Sequence, residues 1–188
     1  MKLLIPLTCL ALGLGLTLGF TSRADEPTPG PATPFVPGIE HALLQKYVGN
    51  WTTEIIAVGE DGKEQRSRGT STTVSTNPFN TVDDFHGEFM GMKLDGHGIN
   101  GFCAVRKQYY TLWTDSMTSS PMILFGDYDP KTKTLAMKGE CLGMSGKIEP
   151  CRTVTHYQDA DHYSFELYGK GPDGNEMRQI RAEYTRAK

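Results

Sequence analysis

The sequence predicts an all-β protein: an antiparallel meander closed into a barrel of nine to ten strands, preceded by one short helix. Three observations point there. Helical periodicity is confined to one stretch, "IEHALLQKYVG" (39–49). Turn signals then recur about every ten to fifteen residues, in "EDGK", "MGMK", "RKQ", "DPKTK", "MSGK", "DADH" and "GPDG". The runs between them are rich in Thr, Tyr, Phe, Val and Ile, which suit a pleated, half-buried surface. An open sheet of this size would leave two edges unpaired, and closure removes them. Eight strands already suffice for a packed interior or one small ligand, so ten strands imply a cavity.

The elements follow in order. Residues 1–24 read as a secretory signal peptide: Lys2, an apolar run, then Ser22 and Ala24 at the small-residue positions, with cleavage after Ala24. The competing reading is a membrane anchor, since the run is just long enough to span. A lipoprotein signal through Cys9 does not fit, because most of the apolar segment follows that cysteine. Residues 25–38, "DEPTPGPATPFVPG", hold five prolines and too few apolar groups to offset ordering entropy, which predicts an extended tether. Residues 39–188 suit one domain with one core. In the helix, Leu43, Leu44, Tyr47 and Val48 repeat at helical spacing, and Gly49 supplies the stop. Strands are predicted to begin near Trp51, Ser67, Val82, Lys93, Gln108, Met122, Thr134, Cys151, His162 and Glu176.

Charge and cysteine usage narrow the function. A net charge of −3 with no basic run leaves no electrostatic footprint for nucleic acid or an anionic membrane surface. The signal peptide predicts a location in the periplasm or the exterior, with no membrane association after cleavage. Of four cysteines, one leaves with the signal peptide. Cys103, Cys141 and Cys151 remain, an odd number that allows at most one internal bridge. Setting Cys141 opposite Cys151 places Glu140 opposite Arg152 and Leu135 opposite Tyr157, an ion pair and an apolar pair from one register. That coincidence predicts a Cys141–Cys151 disulfide across a hairpin.

"YVGNWTTEI" puts a short helix and then Gly49-Asn50-Trp51 at the entry to the first strand. This Gly-x-Trp opening resembles lipocalins and their calycin relatives. The resemblance implies that Trp51 plugs one barrel end and that a basic side chain of the last strand, Arg181 or Arg186, lies across it. "EHALLQKYVGNW", "GEFMGMKLDGHGINGF", "YYTLWTDSM", "GDYDPKTKTLAMKGE" and "DADHYSFELYGKGPDGNEMRQIRAEYTR" together resemble the family called domain of unknown function 1579, in order from His41 to the C-terminus. That likeness implies a lipocalin-like barrel and no particular reaction. The cysteine pair is a departure from the family's pattern at this hairpin.

The densest cluster of unusual residues is "EFMGMKLDGHGINGF" (88–102). Its glycines can bend strands around a tight corner. Alternatively it lines a pocket, with Glu88, His97 and Asp115 as polar points and Met90, Met92, Trp113 and the Tyr109/Tyr110 pair as adaptable or aromatic walls. In that reading Glu88 and His97 face inward and pair with each other. A copper site from Met90 and Met92 with His86 or His97 has suitable soft donors, but no His-rich tract supports it. No haem motif frames His156 or His162, and no catalytic motif is present. The sequence thus predicts an exported barrel that binds a small apolar or amphipathic ligand, with no metal and no cofactor. The alternatives are an enzyme moving protons through Glu88, His97 and Asp115, and a filled barrel serving as an interaction module.

Overall fold

The computed structural model describes residues 30–59 and 61–188; the predicted signal peptide and the first part of the predicted tether lie outside these residues. One helix, α1 (Ile39–Gln45), precedes ten strands: β1 (Gly49–Val58), β2 (Glu64–Asn77), β3 (Asn80–Phe89), β4 (Met92–Cys103), β5 (Gln108–Asp115), β6 (Met122–Asp129), β7 (Thr134–Leu142), β8 (Ile148–Tyr157), β9 (His162–Lys170) and β10 (Glu176–Arg186). Each strand pairs antiparallel with the next, and β10 pairs with β1, so the sheet is a closed ten-stranded barrel. Gly30–Gly38, inside the predicted tether, is not extended. Thr33 and Val36 exchange backbone hydrogen bonds, and Ala32 N–H donates to Glu40 Oε2, which folds the segment back onto α1.

Strand alternation decides what faces the interior. The ladders pair Trp51 with Ser71, Ser71 with Phe85, Phe85 with Gly96, and Gly96 with Asp115, so these positions share one face. Trp51, Ser71, Phe85 and Gly96 are buried, which marks that face as inner. One side of the interior packs Leu43 and Leu44 of α1 with Tyr109, Leu124, Leu135 and Met137. The other gathers Ile55, Phe85 and Ala182 with Trp113, Phe165 and Tyr184.

Of the two arginines, it is Arg186 that lies over Trp51. Trp51 is 1% exposed, and the Arg186 guanidinium lies 4.2 Å above its ring. Arg186 also donates to the carbonyls of Lys46, Val48 and Ala160 and to Asp161 Oδ1, stitching the α1–β1 link, β10 and the β8–β9 turn. Five donors in a planar fork suit this task, which a single ammonium cannot perform. Arg181, by contrast, lies on the outer wall and pairs with Glu183 and Glu166.

The hairpin register of β7 and β8 differs from the predicted one by two residues. Cys141 pairs with Glu149, Gly139 with Cys151, Lys138 with Arg152 and Leu135 with Thr155. The turn sets this register. Gly143 N–H donates to Lys147 O, and Gly146 takes φ 73°, so a five-residue loop closes between Leu142 and Ile148. Arg152 satisfies its charge elsewhere, in a bidentate pair with Glu176 across the Tyr168 ring. Cys141 and Cys151 are therefore diagonal neighbours, both free thiols and both buried; Cys103 is also free.

Candidate functional site in the barrel interior

The stretch at 88–102 forms a two-residue hairpin. Met90 (φ 54°) and Gly91 (φ 77°) make a turn with both central residues at positive φ, the type that matches strand twist. Such a turn pairs Phe89 with Met92 and Glu88 with Lys93. Met92 therefore shares a face with Phe89 and not with Glu88, and it projects at the rim, 53% exposed. Met90 also sits at the rim, where a Cβ on Gly59 would lie 3.3 Å from its methyl group.

Glu88 and His97 both stand on the outer wall, contrary to the inward pair expected from the sequence. The reason is that Phe85 and Phe89 take the inner face, which sends the even-numbered residues of β3 outward. His97 Nδ1 lies 2.7 Å from Asp84 Oδ1, and His86 Nδ1 bonds Asp95 at 2.8 Å. The His86 hydrogen bond and the Lys93 ammonium hold Asp95 below the usual carboxylate range. Asp115 does face inward, but it is committed to structure. It accepts from Trp113 Nε1 at 2.9 Å and from the backbone N–H groups of Met117 and Thr118. Glu88, His97 and Asp115 thus do not converge, and no proton relay joins them.

The glycines have a different role from bending corners. A Cβ on Gly96 would stand 2.2 Å from Trp113 Cζ2, and one on Gly69 would stand 2.5 Å from Phe85 Cζ. The missing side chains leave flat seats on the inner wall for these two rings. Trp113, one of the predicted site residues, shares the inner face with Gly98 and packs beside Ile55 and Phe85.

The polar centre of the interior is one the sequence reading missed. Asp83 points inward from β3. Thr73 donates to its Oδ1 at 2.7 Å, and Asn100 Nδ2 donates to its Oδ2 at 2.6 Å. Thr111 in turn donates to Asn100 Oδ1 at 2.6 Å. A polar belt thus crosses β2, β3, β4 and β5, and among the described residues no Lys or Arg pairs with Asp83. Burial raises the Asp83 carboxyl above its ordinary range, with the Thr73 and Asn100 hydrogen bonds opposing. Burial likewise raises the phenols of Tyr157, Tyr163 and Tyr184, and the Asp83 charge adds to that effect. The hydroxyls of Thr53 and Thr153 are buried without a hydrogen-bond partner. Asp83, Trp113, Phe165, Ile180 and Tyr184 point inward and are only partly buried. A signal for Asp83 existed: of two adjacent acids in a strand, Asp83 and Asp84, one must face in.

These features define a closed ten-stranded antiparallel barrel whose interior is aromatic and carries an inward carboxyl at Asp83. The family described as protein of unknown function (DUF1579) matches residues 36–186, and the chain belongs to it. No curated protein matches the chain. Among solved structures, Rv2717c from M. tuberculosis is similar with 14% identity and a TM-score of 0.57, over 78% of this chain and 96% of that one. A redesigned β-barrel, b11L5F_LGL, matches with 14% identity and a TM-score of 0.40, over 77% of this chain and 95% of that one. At this identity the likeness to Rv2717c concerns fold alone.

Proposed function

We propose that this protein binds a small amphipathic ligand in the barrel lumen, with its polar head at Asp83 and its apolar part along Trp113, Phe165 and Ile180. The observation that supports this most is Asp83 itself. A buried carboxyl without a cation is costly, and hydrogen bonds from Thr73 and Asn100 meet only part of that cost. A ligand hydroxyl, amine or amide would complete the set. The walls are apolar with a few convergent polar groups, the usual character of a small-molecule site. The helix end is shut by Trp51 and Arg186, so entry is from the opposite rim, where Met90 and Met92 stand.

Export belongs to the same proposal: residues 1–24 direct secretion, cleavage follows Ala24, and the mature chain works in the periplasm or outside the cell. N-terminal sequencing of the native protein should begin near Asp25. Native mass spectrometry of protein purified from its own compartment tests the binding. A ligand that co-purifies with wild type and is lost from Asp83→Asn supports the reading. A barrel that takes up no ligand or fluorescent fatty-acid analogue is instead a filled interaction module.

A further inference from the structure

We propose that the helix end of the barrel docks on an anionic lipid surface, with Phe35 and Val105 inserted at headgroup level between lysines. Because β1 starts at this end, the β2–β3, β4–β5, β6–β7 and β8–β9 turns and the end of β10 all return to it. The barest apolar side chains are gathered there. Phe35 is 89% exposed, Val105 77%, Val36 57% and Ile39 55%, more than any other large apolar side chain among the described residues. Apolar groups concentrated in water at one place mark an interaction site. Phe35 is held in this position. It stands at the tip of a turn in which Thr33 and Val36 exchange backbone hydrogen bonds, and Val36 N–H also donates to Thr33 Oγ1. Ile39 N–H donates to Gly30 O, which ties the turn to α1. Val105 stands in the β4–β5 turn, which Lys107 helps close at φ 57°.

Charge selects the partner. Residues 30–50, 77–80, 103–108, 129–134, 157–162 and 186–188 make up this end, with seven Lys and Arg against four Asp and Glu. The turns of the opposite rim, residues 58–64, 88–93, 115–122, 142–148 and 170–176, hold four Lys against six Asp and Glu with residue 60 left aside. A chain of net charge −3 thus presents one positive end. Arg186 is engaged with Asp161, and Arg106 lies over the Phe125 ring. Lys46, Lys107, Lys131 and Lys133 are exposed. The acids beside them are already engaged. Glu40 accepts from Ala32 N–H, Asp129 from Lys131 N–H and the Thr132 hydroxyl, and Asp159 from Asp161 N–H. Lysines around apolar tips match an anionic bilayer, where the ammoniums meet phosphates and the tips reach the acyl boundary.

A second copy of the chain fits this end less well, because two positive ends brought face to face repel. The polypeptide also enters the barrel here. Gly30 follows Phe20, the last residue of the N-terminal apolar run, by ten residues, a reach of at most about 33–36 Å. As signal peptide or as anchor, that run would bring the helix end to the bilayer before any other part of the barrel. No basic run marks this end in the sequence, because its cations come from four separate segments. The docking therefore departs from the expectation of no membrane association.

The test uses the exported protein, its N-terminus read first, with vesicles of equal parts phosphatidylglycerol and phosphatidylcholine against vesicles of phosphatidylcholine alone. Wild type should sediment with the anionic vesicles and not with the zwitterionic ones. Raising salt from about 0.05 to 0.5 M should release it. Phe35→Ser and Val105→Ser should each weaken binding by roughly tenfold, and Lys107→Glu with Lys131→Glu by at least as much. These side chains are exposed, so the melting temperature should not move. Met92→Ser is the control: it removes an apolar side chain 53% exposed at the opposite rim and should leave binding unchanged. Sedimentation velocity without lipid tests for a second copy as the occupant. No binding to anionic vesicles, equal binding to both kinds, equal loss from Met92→Ser and Phe35→Ser, or lipid-free self-association that Phe35→Ser abolishes would each overturn the proposal.

Discussion

Gly96→Ala tests the reasoning about the inner wall most directly. The new methyl would stand 2.2 Å and 2.4 Å from two carbons of the Trp113 six-membered ring. Ordinary contact begins near 3.4 Å, so the indole must move by more than 1 Å. Its hydrogen bond to Asp115, 2.9 Å long, then breaks or stretches. Overpacking of this kind costs about 1–3 kcal/mol, and the lost buried hydrogen bond adds about 1 kcal/mol. The expected loss is about 2–4 kcal/mol, against a total near 5–15 kcal/mol for a domain. For a chain of this size that lowers the melting temperature by roughly 5–15 °C. Gly98→Ala is the control, because its methyl meets Asp83 and Trp113 at 3.4 Å, and a small shift accommodates it. Calorimetry of both variants, with tryptophan emission to follow the ring, gives the answer. A Gly96→Ala protein as stable as Gly98→Ala, with unchanged emission, would refute the seat for Trp113.

Arg186→Lys should cost about 2–3 kcal/mol in urea denaturation, because an ammonium cannot both cover Trp51 and reach the carbonyls of Lys46, Val48 and Ala160. Arg181→Lys, a half-exposed pair on the outer wall, should stay within about 0.5 kcal/mol. Asp83→Asn should show a pH signature. The raised Asp83 value means that its ionised form opposes folding. That cost is absent below the ordinary aspartate range and grows as pH rises through the raised value. The variant should therefore gain stability over wild type as pH rises from about 3 to 8; a flat difference would mean that Asp83 titrates normally. Glu88→Gln and His97→Ala should leave ligand uptake unchanged and stability within about 0.5 kcal/mol; loss of uptake would move the site to the outer wall.

The strand starts were legible because turn residues are local signals. Met90-Gly91 and Gly143–Lys147 announce themselves by composition. The closing tryptophan was also legible, since Gly49-Asn50-Trp51 belongs to a pattern carried by nearly the whole chain. Register was not. The Cys141–Cys151 pairing gave two favourable partners by coincidence, and the outcome rested on a turn hydrogen bond that composition does not reveal. The inner face of β3 was misjudged for a related reason. Glu88, Met90, His97 and the glycines attract notice as chemistry, whereas Phe85 and Phe89 attract none, yet burial of two rings outweighs any placement of exposed polar groups. Once those rings are inside, Asp83 must follow them. No single stretch contains the polar belt of Thr73, Asp83, Asn100 and Thr111, because it exists only where four strands lie side by side.

The seam between β1 and β10 joins Trp51 to Arg186, whereas every other ladder joins strands that are neighbours in the chain. Nine of the ten pairings can form as the polypeptide is made, each closing a short loop. The tenth waits for the last strand and must overcome the entropy of closing the whole domain on itself. Until then the nascent protein is an open sheet with two bare edges, the state in which strands recruit strangers. A ribosome that stalls before residue 186, or a protease that trims β10, would therefore release a chain with nearly all its hairpins and no barrel.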